Sequence, residues 1–250
     1  MKNEFGVNFF SNSIDTIPPE KERIDLKRKG SKQKYAYQFI KDAIFEDRYP
    51  EGMKLEEIQL CEAMGGISRT PVRDALYKLC YEGIVVNVPG RGMFVAGLNI
   101  QDLIEITEAR IPSEVAATEL FIERATEKEK QELRDAFAEH EKAYSLMDLS
   151  NIQKNDNLFH HIIGKGTHNS RLSAILDSFI LLTSRGANIS YKNQDRVHTS
   201  LEEHRAILNA VLEGNTEKAV LATKQHRNSW INFAVITKLN LNYFKLGQDK

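Results

Sequence analysis

The stretch from Gly65 to Gly92, GGISRTPVRDALYKLCYEGIVVNVPGRG, constrains the fold more tightly than any other part of the chain. A glycine turn leads into a short helix, and a glycine-centred β-hairpin follows it. Thr70 suits the N-cap and Pro71 the first helical position, where a missing N–H costs nothing. Val72, Ala75, Leu76 and Leu79 then recur on one face at helical spacing, so the helix packs on a core through that stripe. Arg69 and Thr70 lie at the N-terminal end, beside free backbone amides and the positive end of the helix dipole. Arg73 leaves the helix about 100° from Val72, clear of the apolar centre. Cations placed where a helix already attracts phosphate are what a helix needs to enter a DNA groove.

Around this segment the order of elements is a first helix over residues 34–47, a YPEGMKL turn and a second helix over 56–64. The SRTPVRDAL helix and the hairpin complete it. From Lys32 to Val95 this resembles the winged-helix domain of the GntR family of bacterial transcription regulators. The resemblance implies that Arg69 and Arg73 contact DNA backbone and base edges, with Thr70 on phosphate. Arg91 and Gly92 would carry the wing into the adjacent minor groove. Two positions depart from the pattern: Ile58 stands where the family often has arginine, and the Gly65-Gly66-Ile67 turn is one residue longer than usual.

The chain has 250 residues, enough for two modest domains with separate cores. Its net charge of −1 gives no global basic field, so DNA affinity must come from local arginines and from pairing two half-sites in a homodimer. Cys61 and Cys80 have no ligand-like spacing and read as core thiols in a reducing cytoplasm. No apolar run reaches membrane-spanning length, and the start of the chain lacks the pattern of a secretion signal, so neither membrane insertion nor export is expected. Residues 1–30, with Pro18-Pro19 and the basic run Lys27-Arg28-Lys29, read as a flexible extension. The DNA-binding unit is placed at 31–97 and a second domain at 100–243.

Beyond Asn99 the sequence shows long amphipathic helical patterns without strand alternation. Helices are expected at about 100–125, 127–147, 151–166, 170–189, 200–213 and 216–240, an antiparallel bundle. Stepping about 100° per residue places Asp156 and His160 together at the edge of the Phe159, Ile162 and Ile163 core stripe. His204 falls in the middle of the Leu201, Ile207, Leu208 and Val211 stripe, and His226 among Ala219, Ala222 and Trp230. His161 points to the opposite side and is read as solvated. His140 also lies on an apolar face but has no companion carboxylate, and is read as a core or rim histidine. One carboxylate and three imidazoles aimed into one bundle are costly unless satisfied. A divalent metal does so in one step: zinc foremost, with nickel, manganese or iron also suited to such a donor set. Histidines bonded to each other or to buried water are the alternative.

Asp156-x-x-Phe159-His160, Glu203-His204 and His226 resemble the ligand pattern of the FCD effector domain, which follows the GntR winged helix in one large subfamily. The resemblance implies an all-helical bundle holding a metal on Asp156, His160, His204 and His226 and sensing a small carboxylate. Arg110, inward on the first bundle helix with Glu114 one turn on, resembles the arginine beside the effector pocket. A guanidinium near a metal can clamp a carboxylate, though a structural Arg110–Glu114 pair is an equal alternative. Asn169 and Arg196 match the pattern more weakly, and Pro112 departs from it. The fold class is therefore mostly α: a winged helix-turn-helix of three helices and a hairpin, then an antiparallel helical bundle. The functional reading is a dimeric, cytoplasmic, non-enzymatic regulator, a repressor rather than an activator, binding an operator under control of a small organic acid. A metal-dependent hydrolase and a direct metal sensor are the alternatives that use the same residues.

Overall fold

The computed structural model describes residues 31–191 and 193–248, so the expected N-terminal extension lies outside the described residues. The described residues divide into two compact units, one ending at Gly97 and the other beginning at Leu98. Among the described residues they hold nine helices and one two-stranded antiparallel sheet.

In the first unit α1 (Ser31–Phe45), α2 (Glu57–Ala63) and α3 (Arg69–Tyr81) precede β1 (Val85–Val88) and β2 (Gly92–Val95). The α3 stripe behaves as its period demands: Val72, Ala75, Leu76 and Leu79 are fully buried, with Ala36, Ile40 and Leu60 also in the core. Its N-terminus corrects the sequence reading. Ser68, extended at φ −66° and ψ 159°, is the N-cap, and Thr70 already lies inside the helix. Gly65 and Gly66 between α2 and α3 have φ of +76° and +80°, a left-handed pair that side chains with a Cβ rarely adopt. The hairpin pairs Val85 with Val95 and Val88 with Gly92. Arg91 sits at the turn, its N–H donating to the Val88 carbonyl at 3.0 Å.

The second unit contains α4 (Ile100–Arg124), α5 (Glu127–Ser145), α6 (Leu149–Gly166), α7 (Ser170–Tyr191), α8 (Gln194–Leu212) and α9 (Thr216–Gln248). Short polar residues start these helices. Asn99 with Asp102 and Thr126 with Glu129 form capping boxes, while Asp148, Asn169, Asn193 and Asn215 accept from first-turn amides. The Asn193 cap starts α8 at Gln194 rather than at 200, which shortens the loop expected there and places Arg196 in the first turn of the helix. α4 runs unbroken through Pro112. Phe121, Leu133, Phe137, Phe159, Leu201 and Ile207 centre the core. A Cβ at Gly166 would approach the Phe121 ring to 2.5 Å, so α6 can pack this closely only with glycine there.

Candidate metal centre and nucleic-acid interface

Arg69, Thr70, Arg73, Arg91 and Gly92 are all exposed on the first unit. Arg69 and Thr70 open α3, and Arg73 follows one turn later. Arg73 is held from α2: its Nε and Nη2 donate to the two carboxylate oxygens of Glu57 at 2.9 and 2.8 Å. This two-pronged contact fixes the guanidinium plane, and each partner favours the charged form of the other. Glu57 escaped the sequence reading because its role depends on a partner sixteen residues away.

In the second unit His160, His204 and His226, from α6, α8 and α9, bring one ring nitrogen each within 4.8 Å of one another. The outer nitrogens fix the tautomers. His204 Nδ1 lies 2.7 Å from the Ser200 carbonyl, which can only accept, so this nitrogen carries the proton. His226 Nδ1 donates to the Glu203 carboxylate at 2.8 Å. Both Nε2 atoms are left with lone pairs: His204 Nε2 faces His160, and His226 Nε2 is buried without a hydrogen-bond partner. This is how metal-binding histidines are oriented, with the outer N–H on a carbonyl or carboxylate. His204 Nε2 stands 3.0 Å from His160 Nε2 and 3.4 Å from Asp156 Oδ1. Neighbouring ligands bound about 2.1 Å from one ion are separated by about 3.0 to 3.4 Å, depending on its geometry. The three imidazoles therefore suit a divalent transition ion, while Asp156 meets the cluster through His204.

Burial favours the neutral imidazoles. It pushes His204 down to about 4 despite the opposing pull of Asp156, and holds His160 and His226 well below the ordinary histidine range. Burial works against ionisation of Asp156, yet its setting beside His204, His140 and the Arg227 and Arg110 guanidiniums outweighs that and keeps its carboxyl below its usual value.

A network of buried charges lies against the histidines. Glu114 on α4 accepts from Arg110 Nε at 2.7 Å through one oxygen and from Arg227 Nε at 2.6 Å through the other. Arg110 Nη1 also donates to Thr183 on α7, and Arg227 Nη2 donates to His160 Nε2. Burial opposes the charge on Glu114, but the two arginines outweigh it and lower its pKa. Arg196 Nη1 donates to Glu203 at 3.1 Å, while its Nε is buried without a partner. Arg110, Asp156, Thr183, Arg196 and Arg227 line one small cavity, whose wall His226 of the cluster also shares.

Of the residues expected at an effector pocket, the fold brings Arg110 and Arg196 to this cavity and leaves Asn169 out of it. Asn169 Oδ1 accepts from the amides of Arg171 and Leu172, so the side chain is occupied in starting α7. The paired Arg110–Glu114 reading holds geometrically, and it places Arg110 on the cavity wall at the same time. His161 faces away from the cluster, but it is not simply solvated: its Nδ1 lies 2.7 Å from Asp177. His140 is buried, with its ring centre 5.3 Å from that of His204, so it belongs to the wall around the cluster.

Residues 32–95 match the family described as bacterial regulatory proteins, gntR family, and residues 105–229 match the FCD domain. The HTH-type transcriptional regulator YdhC of Bacillus subtilis is 31% identical over 76% of this chain and 83% of its own. The chain belongs to the GntR family.

Another relative is LutR of Bacillus subtilis, an HTH-type transcriptional regulator 26% identical over 70% of this chain and 88% of that one. Among solved structures, McbR/YncC of E. coli shares the fold at a TM-score of 0.72, with 21% identity over 82% of this chain and 97% of that one. As a GntR-family member with an FCD domain, the protein is a DNA-binding transcription regulator and not an enzyme. The hydrolase alternative therefore falls. No helix among the described residues is long and apolar enough to cross a membrane.

Proposed function

We propose that this GntR-family chain is a cytoplasmic, homodimeric repressor whose bundle holds a divalent metal and a small organic-acid effector. The observation carrying this reading is the convergence of one ring nitrogen from each of His160, His204 and His226, with His226 Nε2 buried and unpartnered. Zinc comes first for this donor set; nickel, manganese and iron also suit it. Asp156 would complete the ligands, and a bound divalent ion would supply open coordination positions for an effector carboxylate. Glu203 and the Ser200 carbonyl orient two of the rings through their Nδ1 protons. Arg110 presents a guanidinium fixed by Glu114 and Thr183, and Arg196 presents a buried Nε with hydrogen-bonding capacity to spare. Both suit an anion. On the DNA side Arg69, Thr70 and Arg73 would meet the duplex from α3, and Arg91 and Gly92 from the hairpin tip. Effector binding changes operator affinity only through its different affinity for the DNA-competent and DNA-incompetent dimers.

The test is operator binding by metal-loaded protein against a panel of hydroxy acids, sugar acids and dicarboxylates, with elemental analysis of the same samples. About one transition ion per chain and release by at least one acid are expected. His204→Ala should lose the ion and His161→Ala should keep it. Equal metal content in the two variants, or no response to any acid, would refute the corresponding half of the reading.

A further inference from the structure

Arg227 is a buried cation that the chain brings to the histidine cluster from α9, directly after His226 in sequence. Its Nε is fixed on Glu114 Oε2 at 2.6 Å, and its Nη2 donates to His160 Nε2. The neutral imidazole has a single lone pair on that nitrogen, in the plane of the ring. A guanidinium has no acceptor and stays charged, so it can engage that lone pair only by donating. A metal ion bound through His160 Nε2 needs the same lone pair. The two cations therefore exclude one another at this atom, while His204 Nε2 and His226 Nε2 keep their lone pairs free of Arg227.

We propose that Arg227 is a built-in substitute for the metal. In the metal-free chain its guanidinium satisfies His160 and closes the cluster, and metal binding displaces Nη2 from the ring. Glu114 keeps its grip on Nε, so the displaced arm stays at the cavity wall that Arg227 already lines. Loading with metal thus trades an arginine–histidine contact for an arginine donor available to an anion in the cavity. The inference rests on the metal reading given above, and it assigns to Arg227 a role in tuning metal affinity.

The test titrates the full chain, stripped with a chelator, with Co²⁺ as the probe ion. The d–d absorption of the bound ion gives affinity, and thermal melts in chelator give metal-free stability. Arg227→Met should bind Co²⁺ at least about tenfold more tightly than the natural chain while melting lower in chelator, because Glu114 loses a partner. Should that variant fold poorly, Glu114→Gln/Arg227→Met removes both charges of the pair and should show the same tightening. Arg227→Lys should also bind more tightly than the natural chain, since it keeps the charge but loses the forked N–H on His160. Unchanged or weaker Co²⁺ affinity in the methionine variants would overturn the proposal. Tightening in the methionine variants but not in the lysine variant would do so as well, because charge alone would then explain the effect. Absence of Co²⁺ binding in every form would overturn it together with the metal reading, whereas equal binding in all forms would overturn only the role of Arg227.

Discussion

Two arginine–glutamate arrangements in this chain are chemically alike and physically opposite. On α3, Arg73 grips Glu57 at the surface with its side chain more than half exposed. In the bundle, Arg110 and Arg227 grip Glu114 with all three side chains nearly sealed from water. At the surface, solvent screens the pair and can replace either partner, so the contact orients a guanidinium without holding the domain together. In the interior, ions lose their hydration and depend on one another for compensation. The surface pair can exchange its partners for solvent, and for a phosphate or a base edge if α3 meets DNA as proposed. The buried set is a fixed part of the fold whose charges set the character of the cavity.

The largest effect expected from this contrast comes from removing the shared buried carboxylate. Glu114→Ala leaves Arg110 and Arg227 facing each other without a counter-ion, and breaking a buried ion pair from one side costs about 3–5 kcal/mol. Urea unfolding of the metal-free chain measures it. A loss no greater than that of Glu57→Ala would erase the distinction between the two arrangements.

Next in size is the response of the metal-free chain to acid. A histidine pushed from about 6.5 in the unfolded chain to about 4 in the fold is linked to stability by on the order of 3 kcal/mol. Below about pH 6.5 the unfolded chain takes up a proton that folded His204 refuses until about pH 4, so stability falls across that window. His160 and His226, lowered in the same direction, add to the loss. Unfolding midpoints in chelator at about pH 7 and about pH 5 should therefore differ, with the acid sample weaker. His204→Gln should flatten the slope if it folds. A midpoint independent of pH would mean that these rings take up protons alike in the folded and unfolded chain, so that burial does not hold them neutral.

The helices that carry both arrangements were legible from period alone, because Val72, Ala75, Leu76 and Leu79 repeat at the spacing that buries one face of α3. The inward set Asp156, His160, His204 and His226 could be read for the same reason, each lying at or beside an apolar stripe of its own helix. Arg227 could not. It follows His226 by one residue and so sits about 100° from it, off the centre of the α9 stripe. It is buried because α4 packs alongside and offers Glu114, more than a hundred residues earlier in sequence. The signal present in the sequence was Glu114 itself, an inward carboxylate that a single arginine four residues away does not fully occupy. Asn169 shows a role that its place in a motif did not suggest: its side chain caps the start of α7. A local bias made Thr70 look like the cap of α3, because Pro71 suits a first helical position, yet Ser68 already has the extended backbone of a cap.

A smaller effect is expected on DNA. Arg69→Ala and Arg73→Ala should each weaken operator binding by about tenfold to a hundredfold if they read base edges. Arg91→Ala should weaken all sequences alike and reduce the salt slope, as a phosphate contact would. Gel-shift titrations on the operator and on unrelated duplex separate the two behaviours. Operator affinity unchanged in Arg69→Ala/Arg73→Ala would remove this face from the interface.

The smallest effect concerns Glu57→Gln, which keeps the shape of the surface pair and removes its charge. Stability should barely change, and any difference seen at low salt should vanish at high salt, because both partners can turn to water instead. Operator binding should respond more than folding does, for a physical reason. Glu57 neutralises Arg73 in the free chain and also fixes its plane, so its removal raises the local positive potential and loosens the guanidinium together. Affinity for unrelated DNA should therefore rise slightly while the preference for the operator narrows, and the dependence on salt should steepen. Urea melts at two salt concentrations, paired with operator and non-operator titrations at the same two, check each part. A loss of stability comparable to that of Glu114→Ala would show that the exposed pair is structural after all. An unchanged ratio of operator to non-operator binding would show that Glu57 does not position Arg73 for reading bases.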